Sequence, residues 1–233
     1  MLLILSKKGD IMRKKVNLLD SKENYFPQNI VCLGKNYLTH INEMESEIPE
    51  KPVIFLKPLS SIIHSGDNII LPDKNSNIHY EVELLLLIDK KASRIKKKKV
   101  YDYIKGYGVG LDITLRDMQT EAKNYGNPWG ICKGFDTSAP VSSFINKNKF
   151  ENPHNIEIKL DVNGKTMQKD NTKNMIFKIP EILQYITKYI TLQKGDIIFT
   201  GTPQGVGPIY NNDILEASLN GNILLKNHVR LHA

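Results

Sequence analysis

The chain has 233 residues, 40% hydrophobic and 24% charged, enough apolar content to bury one substantial core and to exclude whole-chain disorder. Lys and Arg total 32 against 25 Asp and Glu, a net charge of +7, but much of the excess sits in short runs such as the four lysines at 96–99, without aromatic interleaving or a binding motif, so no nucleic-acid partner is expected. The apolar runs fall far short of the roughly 20 residues of a bilayer span, MLLIL is too short for a secretory signal, and Cys32 and Cys132 have neither disulfide nor zinc spacing, so a cytoplasmic protein with no membrane partner is expected.

Residues 1–28 read as an N-terminal extension and lead-in, of which 1–11 are expected to be dispensable, and residues 29–233 as a single domain. Strand-like segments rich in Val and Ile follow in order: 29–34, 52–57, 68–71, 79–89, 106–114, 156–162, 196–200 and 222–231. Asn163-Gly164 and Asn220-Gly221 predict tight hairpins, so much of the sheet should be antiparallel. Helical spacing is confined to 36–45, 96–105, 115–126, which ends in Gly126, and 179–190, which opens on Pro180. The expected class is α+β, β-rich, with a few peripheral helices.

Chemistry enters at HYEVELLLLID, 79–89. Residues two apart on a strand share a face, so His79, Glu81 and Glu83 should point the same way as Leu85 and Leu87. From this segment alone, an exposed strand end with both carboxylates in water serves as well as a buried site. Asp112 tips the balance, because it follows Val109 and Leu111 where a strand interior disfavours Asp. Three carboxylates on two apolar strands make an oxygen-rich cluster suited to Mg²⁺, Mn²⁺ or Ca²⁺, with His79 in an accessory role. On the helix at 36–45, His40 and Glu43 are three apart and share a face; alone they read as a surface pair, but beside a metal strand and a charged, Pro-bearing lid at 42–52 they have general-base geometry. GTPQGVG lacks phosphate-loop spacing and reads as glycine turns, or with Thr202 as a donor of amides to a substrate carboxylate.

The run NIVCLGKNYLTHINEM, then PVIFLKP, HYEVELLLLI, GYGVGLDITLRDMQ, PWGICKGFDTSAPVS, VNGKTMQ and FTGTPQGVGP resembles the fumarylacetoacetate hydrolase superfamily in order and spacing, over roughly residues 29 to 230. It is most similar to the short members related to acylpyruvases and oxaloacetate decarboxylases. The resemblance implies a mixed β-sandwich roll, usually a homodimer. It makes Glu81, Glu83 and Asp112 ligands of Mg²⁺ or Mn²⁺, His40 and Glu43 the catalytic dyad, and Lys133 and Gln119 further catalytic residues. Thr202 and Arg116 would bind substrate.

The implied activity is metal-dependent cleavage of a C–C bond in a small 2-oxo acid, by hydrolysis of an acylpyruvate or decarboxylation of oxaloacetate through a stabilised enolate. Lys133 and Gln119 would stabilise an oxyanion in the hydrolysis. Keto-enol tautomerisation of oxaloacetate, or isomerisation of a 2-hydroxyhepta-2,4-diene-1,7-dioate type of substrate, is the alternative within the same chemistry. A catalytically silent binding protein is the alternative of another class.

Overall fold

The computed structural model describes residues 14–73 and 77–232; the expectation for residues 1–11 lies outside them. An eight-stranded sheet runs in the order Val53–Lys57, Ile30–Gly34, Ile197–Phe199, Val82–Ile88, Ile104–Leu111, Ala139–Val141 and Ile62–His64, with Ile145–Asn146 pairing beside Ile104–Leu111. A five-stranded sheet follows the order Lys165–Asn171, Glu157–Val162, Ile214–Leu219, Asn222–Leu231 and Asn68–Leu71. Pairing is mostly antiparallel, as the two Asn-Gly turns predict: Asn163 and Gly164 take φ of 52° and 79°, Asn220 and Gly221 of 46° and 79°, and each pair closes a hairpin of the second sheet. The architecture is the β-rich roll expected, with four α-helices among the described residues: α1 Leu38–Glu43, α2 Arg116–Tyr125, α3 Gly130–Gly134 and α4 Ile179–Tyr189.

Val82–Ile88 is a near-continuous apolar run because both of its faces are buried. Val82, Leu84, Leu86 and Ile88 join the main core with Ile158, Leu160 and Leu215 of the second sheet and Ile182, Leu183 and Ile186 of α4. Leu85 and Leu87 face a smaller core with Ile30, Cys32, Ile197 and Phe199, which Val16, Leu18 and Tyr25 from the lead-in help to close. The backbone of Ile104–Leu111 lies tight against this smaller layer: a Cβ at Gly106 would fall 2.5 Å from the carbonyl oxygen of Ile145, and one at Gly110 2.8 Å from Leu85. The glycines of GYGVG are there for close approach.

Two sequence expectations are corrected. The helix expected at 96–105 is a 3₁₀ stretch, Lys97–Tyr103, that runs straight into Ile104–Leu111; four adjacent cations repel, while Val100, Tyr101 and Tyr103 pack against the main core. The strand expected at 79–89 is broken at Glu81. Ile78–Tyr80 belongs to a separate three-stranded sheet with Thr114–Leu115 and Gly207–Pro208, while Val82–Ile88 belongs to the large sheet. His79 therefore does not share a face with Glu83 and Leu85; its Nε2 lies 3.0 Å from Asn77 Oδ1, and burial, followed by the charge of Arg116, pushes its imidazole down to about 4.

Candidate metal centre and active site

The break at Glu81 creates the site. It frees the Glu81 carboxylate from strand alternation, and Asp112, just past the end of Ile104–Leu111, is held opposite by its own N–H donating to the Glu81 carbonyl at 2.8 Å. Glu83 enters from the Val82–Ile88 strand. One oxygen from each of Glu81, Glu83 and Asp112 lies within 4.8 Å of the others, and all three residues are buried.

Buried carboxylates need compensation, and two of the three have it. Lys133 Nζ donates to Glu81 Oε2 at 2.7 Å, Asp112 Oδ2 at 2.6 Å and Thr114 Oγ1 at 2.7 Å. Lys57 Nζ lies 2.8 Å from Asp112 Oδ1 and donates to the carbonyls of Lys133 and Ser138. Arg116 Nη2 donates to Glu81 Oε1 at 2.6 Å and Nη1 to Gln119 Oε1 at 2.7 Å. Burial alone would push Glu81 up, but Lys133 and then Arg116 hold it well below the usual carboxylate range. Burial likewise opposes the charge on Lys133, yet Asp112 and Glu81 raise the ammonium above its ordinary value.

Glu83 is the exception. Its Oε2 accepts the Gly201 N–H at 2.6 Å, while its buried Oε1 has no hydrogen-bond partner. Burial, then Asp112 and Glu81, raises its pKa well above the ordinary value. An orphaned carboxylate oxygen facing two more carboxylates is a ligand set for a hard divalent cation, so the residues present fit the metal that the sequence implies.

Around this centre a cleft is lined by His40, Met44, Arg116, Gln119, Trp129, Lys133 and Thr202, together with Lys35 and Lys123. A more open groove between residues 50–52 and α4 brings together no metal ligands. His40 Nδ1 lies 3.1 Å from Glu43 Oε2, and Glu43 Oε1 accepts the Gly205 N–H at 2.9 Å, which fastens α1 to the loop carrying Thr202. Thr202 Oγ1 accepts from Gln168 Nε2 at 2.9 Å. His40, Glu81, Glu83, Lys133, Gln119, Arg116 and Thr202 thus line one cleft, with Glu43 behind His40 and Asp112 behind Lys133, but Arg116 and Lys133 are turned toward the carboxylates.

Sequence reading missed Lys57, Gln168 and Asn36. Gln168 ties three elements together, accepting from Val82 N–H at 2.8 Å and donating to the carbonyl of Pro203 at 2.9 Å. Asn36 Nδ2 donates to Thr200 O at 2.7 Å, and the Asn36 Cβ would lie 2.6 Å from a Cβ on Gly201, whose φ is +95°. Lys57 had a signal, a lone cation closing the apolar run PVIFL; the others are ordinary polar residues until the fold brings them together. Gly201→Ala should incur backbone strain and a steric clash, each about 1–3 kcal/mol. At roughly 2–4 °C per kcal/mol the expected result is a melting temperature lower by about 5 °C or more, together with weaker metal affinity as the donor to Glu83 shifts. An unchanged melting curve would show that the loop relaxes without cost.

A curled β-roll with an acidic triad at the broken strand defines the class. The sequence profile described as "Fumarylacetoacetate (FAA) hydrolase C-terminal" matches residues 29–230, and the chain belongs to that family. Among its relatives, the mitochondrial oxaloacetate tautomerase FAHD1 of Bos taurus is 43% identical over 199 residues, 85% of this chain and 90% of the relative. The mitochondrial oxaloacetate tautomerase fahd-1 of Caenorhabditis elegans is 45% identical over 201 residues, 86% of this chain and 94% of the relative. The crystal structure of fumarylpyruvate hydrolase from Pseudomonas aeruginosa in complex with Mn²⁺ and pyruvate aligns with a TM-score of 0.91 at 29% identity, over 97% of this chain and all of that one. Family membership, these relatives and the acidic triad make the chain an enzyme of this family with a divalent-metal site.

Proposed function

We propose that the chain catalyses keto-enol tautomerisation of oxaloacetate with Mg²⁺ or Mn²⁺. The observation that carries the reading is the buried triad with the unpartnered Glu83 oxygen, beside a cleft that Glu81 and Glu83 line together with His40, the ring that Glu43 holds. A divalent cation held by Glu81, Glu83 and Asp112 would supply Lewis acidity that acidifies the hydrogens beside the keto carbon of a 2-oxo acid. His40 takes the proton from C3 and returns it to the C2 oxygen, with Glu43 holding the ring in place. Gln119, whose carbonyl oxygen is engaged by Arg116, keeps its amide nitrogen free to donate to the substrate. Lys133, whose three N–H donors go to Glu81, Asp112 and Thr114, fixes two of the carboxylates that would hold the metal, and Thr202 with the neighbouring amides receives the carboxylate next to the keto group.

C–C cleavage is the second reading, favoured by the same dyad, which can equally activate a water for attack on an acylpyruvate. The proposal includes a homodimer working in the cytoplasm. Val53–Lys57 closes the large sheet as an edge strand with Leu56 exposed, an edge unpaired among the described residues and suited to a second copy, and both cysteines are free, as a reducing compartment favours. The test is a screen with Mg²⁺ or Mn²⁺ against enol-oxaloacetate, acetylpyruvate and fumarylpyruvate. Metal-dependent ketonisation faster than either cleavage is expected. Full activity in a strong chelator, or action on none of the three, would overturn the reading.

A further inference from the structure

The charges at the cleft do not balance around the triad alone. Lys57, Lys133 and Arg116, three cations, contact only the two carboxylates of Glu81 and Asp112, while Glu83 has no cationic partner among the described residues. Lys35 and Lys123 line the same cleft as additional cations, and among the described residues neither has an ion-pair partner. A bound divalent cation would add two further positive charges.

Both lysines are placed there at a cost. Lys35 takes a φ of 58°, a left-handed conformation that L side chains adopt at an energetic penalty, at the corner between Ile30–Gly34 and α1. Lys123, on α2, has its ammonium 5.7 Å from the centre of the Trp129 ring. Trp129 in turn packs over Gly34, where a Cβ would come to 3.3 Å from the indole. Burial, followed by repulsion from Arg116 and Lys35, outweighs the attraction of Glu81 and lowers the pKa of Lys123. The buried Nε of Arg116 is a further donor without a partner in the same cleft. Two cations without ion-pair partners beside a reaction centre, one of them on a left-handed backbone, are an arrangement that a second anionic group relieves.

We propose that Lys35 and Lys123 form a site for the distal carboxylate of a dicarboxylic 2-oxo acid, and that they select such substrates over monocarboxylic ones. The inference rests on the 2-oxo acid reading above and deepens it. The chelating end of the substrate would lie toward Glu81, Glu83 and Asp112, and the far carboxylate would lie between the two ammonium groups beneath Trp129. The same site disfavours a neutral acyl group, which would leave both cations unpaired in a partly desolvated cleft.

Calorimetric binding to the Mg²⁺-loaded full chain tests this with 2-oxoglutarate and 2-oxopentanoate, which share the chelating end and differ by a carboxylate in place of a methyl group. The wild type should prefer the dicarboxylate by about tenfold or more, as a charge-assisted hydrogen bond supplies. Lys35→Gln and Lys123→Gln together should remove that preference while changing 2-oxopentanoate affinity less than about twofold, and should raise KM for oxaloacetate with little change in kcat. Lys35→Arg with Lys123→Arg should retain the preference. Equal wild-type affinity for the two acids, or a preference that survives the double Gln variant, would overturn the inference alone. If neither acid nor oxalate binds the Mg²⁺-loaded protein, the 2-oxo acid reading falls and the inference with it.

Discussion

Glu83→Gln is expected to abolish divalent-cation binding and activity while raising the melting temperature of the metal-free protein; Asp112→Ala should abolish both as well, but lower it. The two residues belong to one ligand set and have opposite energetics without a cation. Glu83 is wholly buried, faces two other carboxylates and has one oxygen with no partner. A neutral amide of the same shape keeps an acceptor for the Gly201 N–H and removes an uncompensated charge, a gain of about 1–3 kcal/mol.

Asp112 is paired with both Lys57 and Lys133. Its removal leaves the buried Lys57 ammonium without a carboxylate and takes one of two from Lys133, at a cost of about 3–5 kcal/mol, a fall of roughly 10 °C or more. The pH dependence follows from the same difference. Because Glu83 in the fold titrates above its ordinary 4.5, the native state binds more protons than the unfolded state between the two values. Its stability contribution is complete below the unfolded value and is lost as pH rises through the folded one. Thermal melts in a chelator from pH 5 to 8.5 should therefore slope downward for the wild type and flatten for Glu83→Gln. A Glu83→Gln protein as destabilised as Asp112→Ala would mean that the Glu83 carboxylate is compensated after all.

The metal ligands were legible because their signal is chemical and local: a carboxylate set into an apolar run is costly to bury unless a cation or a proton neutralises it. The strand alternation that first drew Glu81 and Glu83 together was nonetheless the wrong geometry. Glu81 lies at a break between two sheets, and the break is invisible to periodicity because the residues on both sides, Tyr80 and Val82, are equally apolar and buried. The hairpins at Asn163-Gly164 and Asn220-Gly221 were legible for the opposite reason, since their positive φ values demand those residue types. Lys57, Gln168 and Asn36 act through partners 34 to 164 positions away in the chain, as in Gln168 with Thr202 and Asn36 with Thr200. Nothing within a local window records such a pairing. The segment at 96–105 misled in a simpler way: its spacing suggested a helix, whereas the neighbouring strand extends back to Ile104 and leaves only a tight 3₁₀ connection.

His40→Asn should lower turnover by about 10²- to 10⁴-fold, the usual worth of a positioned base, with metal affinity unchanged because His40 is not among the carboxylate ligands. Glu43 offers the sharper experiment. Its two oxygens serve different partners, Oε2 the His40 ring and Oε1 the Gly205 N–H. A Gln side chain at this position has one oxygen, and of its two terminal atoms only that oxygen can accept from the Gly205 N–H. The amide nitrogen must then face His40 Nδ1, which becomes an acceptor and forces the ring proton onto Nε2, the nitrogen turned away from Glu43. An imidazole protonated there cannot take a proton from the substrate. Glu43→Ala imposes no such tautomer, since water can fill the space and leave Nε2 basic. Glu43→Gln is therefore expected to be at least as inactive as His40→Asn, and Glu43→Ala to retain more activity than either, although Gln is the closer match in shape. Initial rates of oxaloacetate ketonisation and acetylpyruvate cleavage, measured for all three variants at saturating metal, check the ordering. Activity in Glu43→Gln exceeding that of Glu43→Ala would remove the tautomer argument and leave Glu43 as an anchor for α1. Loss confined to acetylpyruvate cleavage would instead assign the dyad to water activation and the proton shuttle to another group.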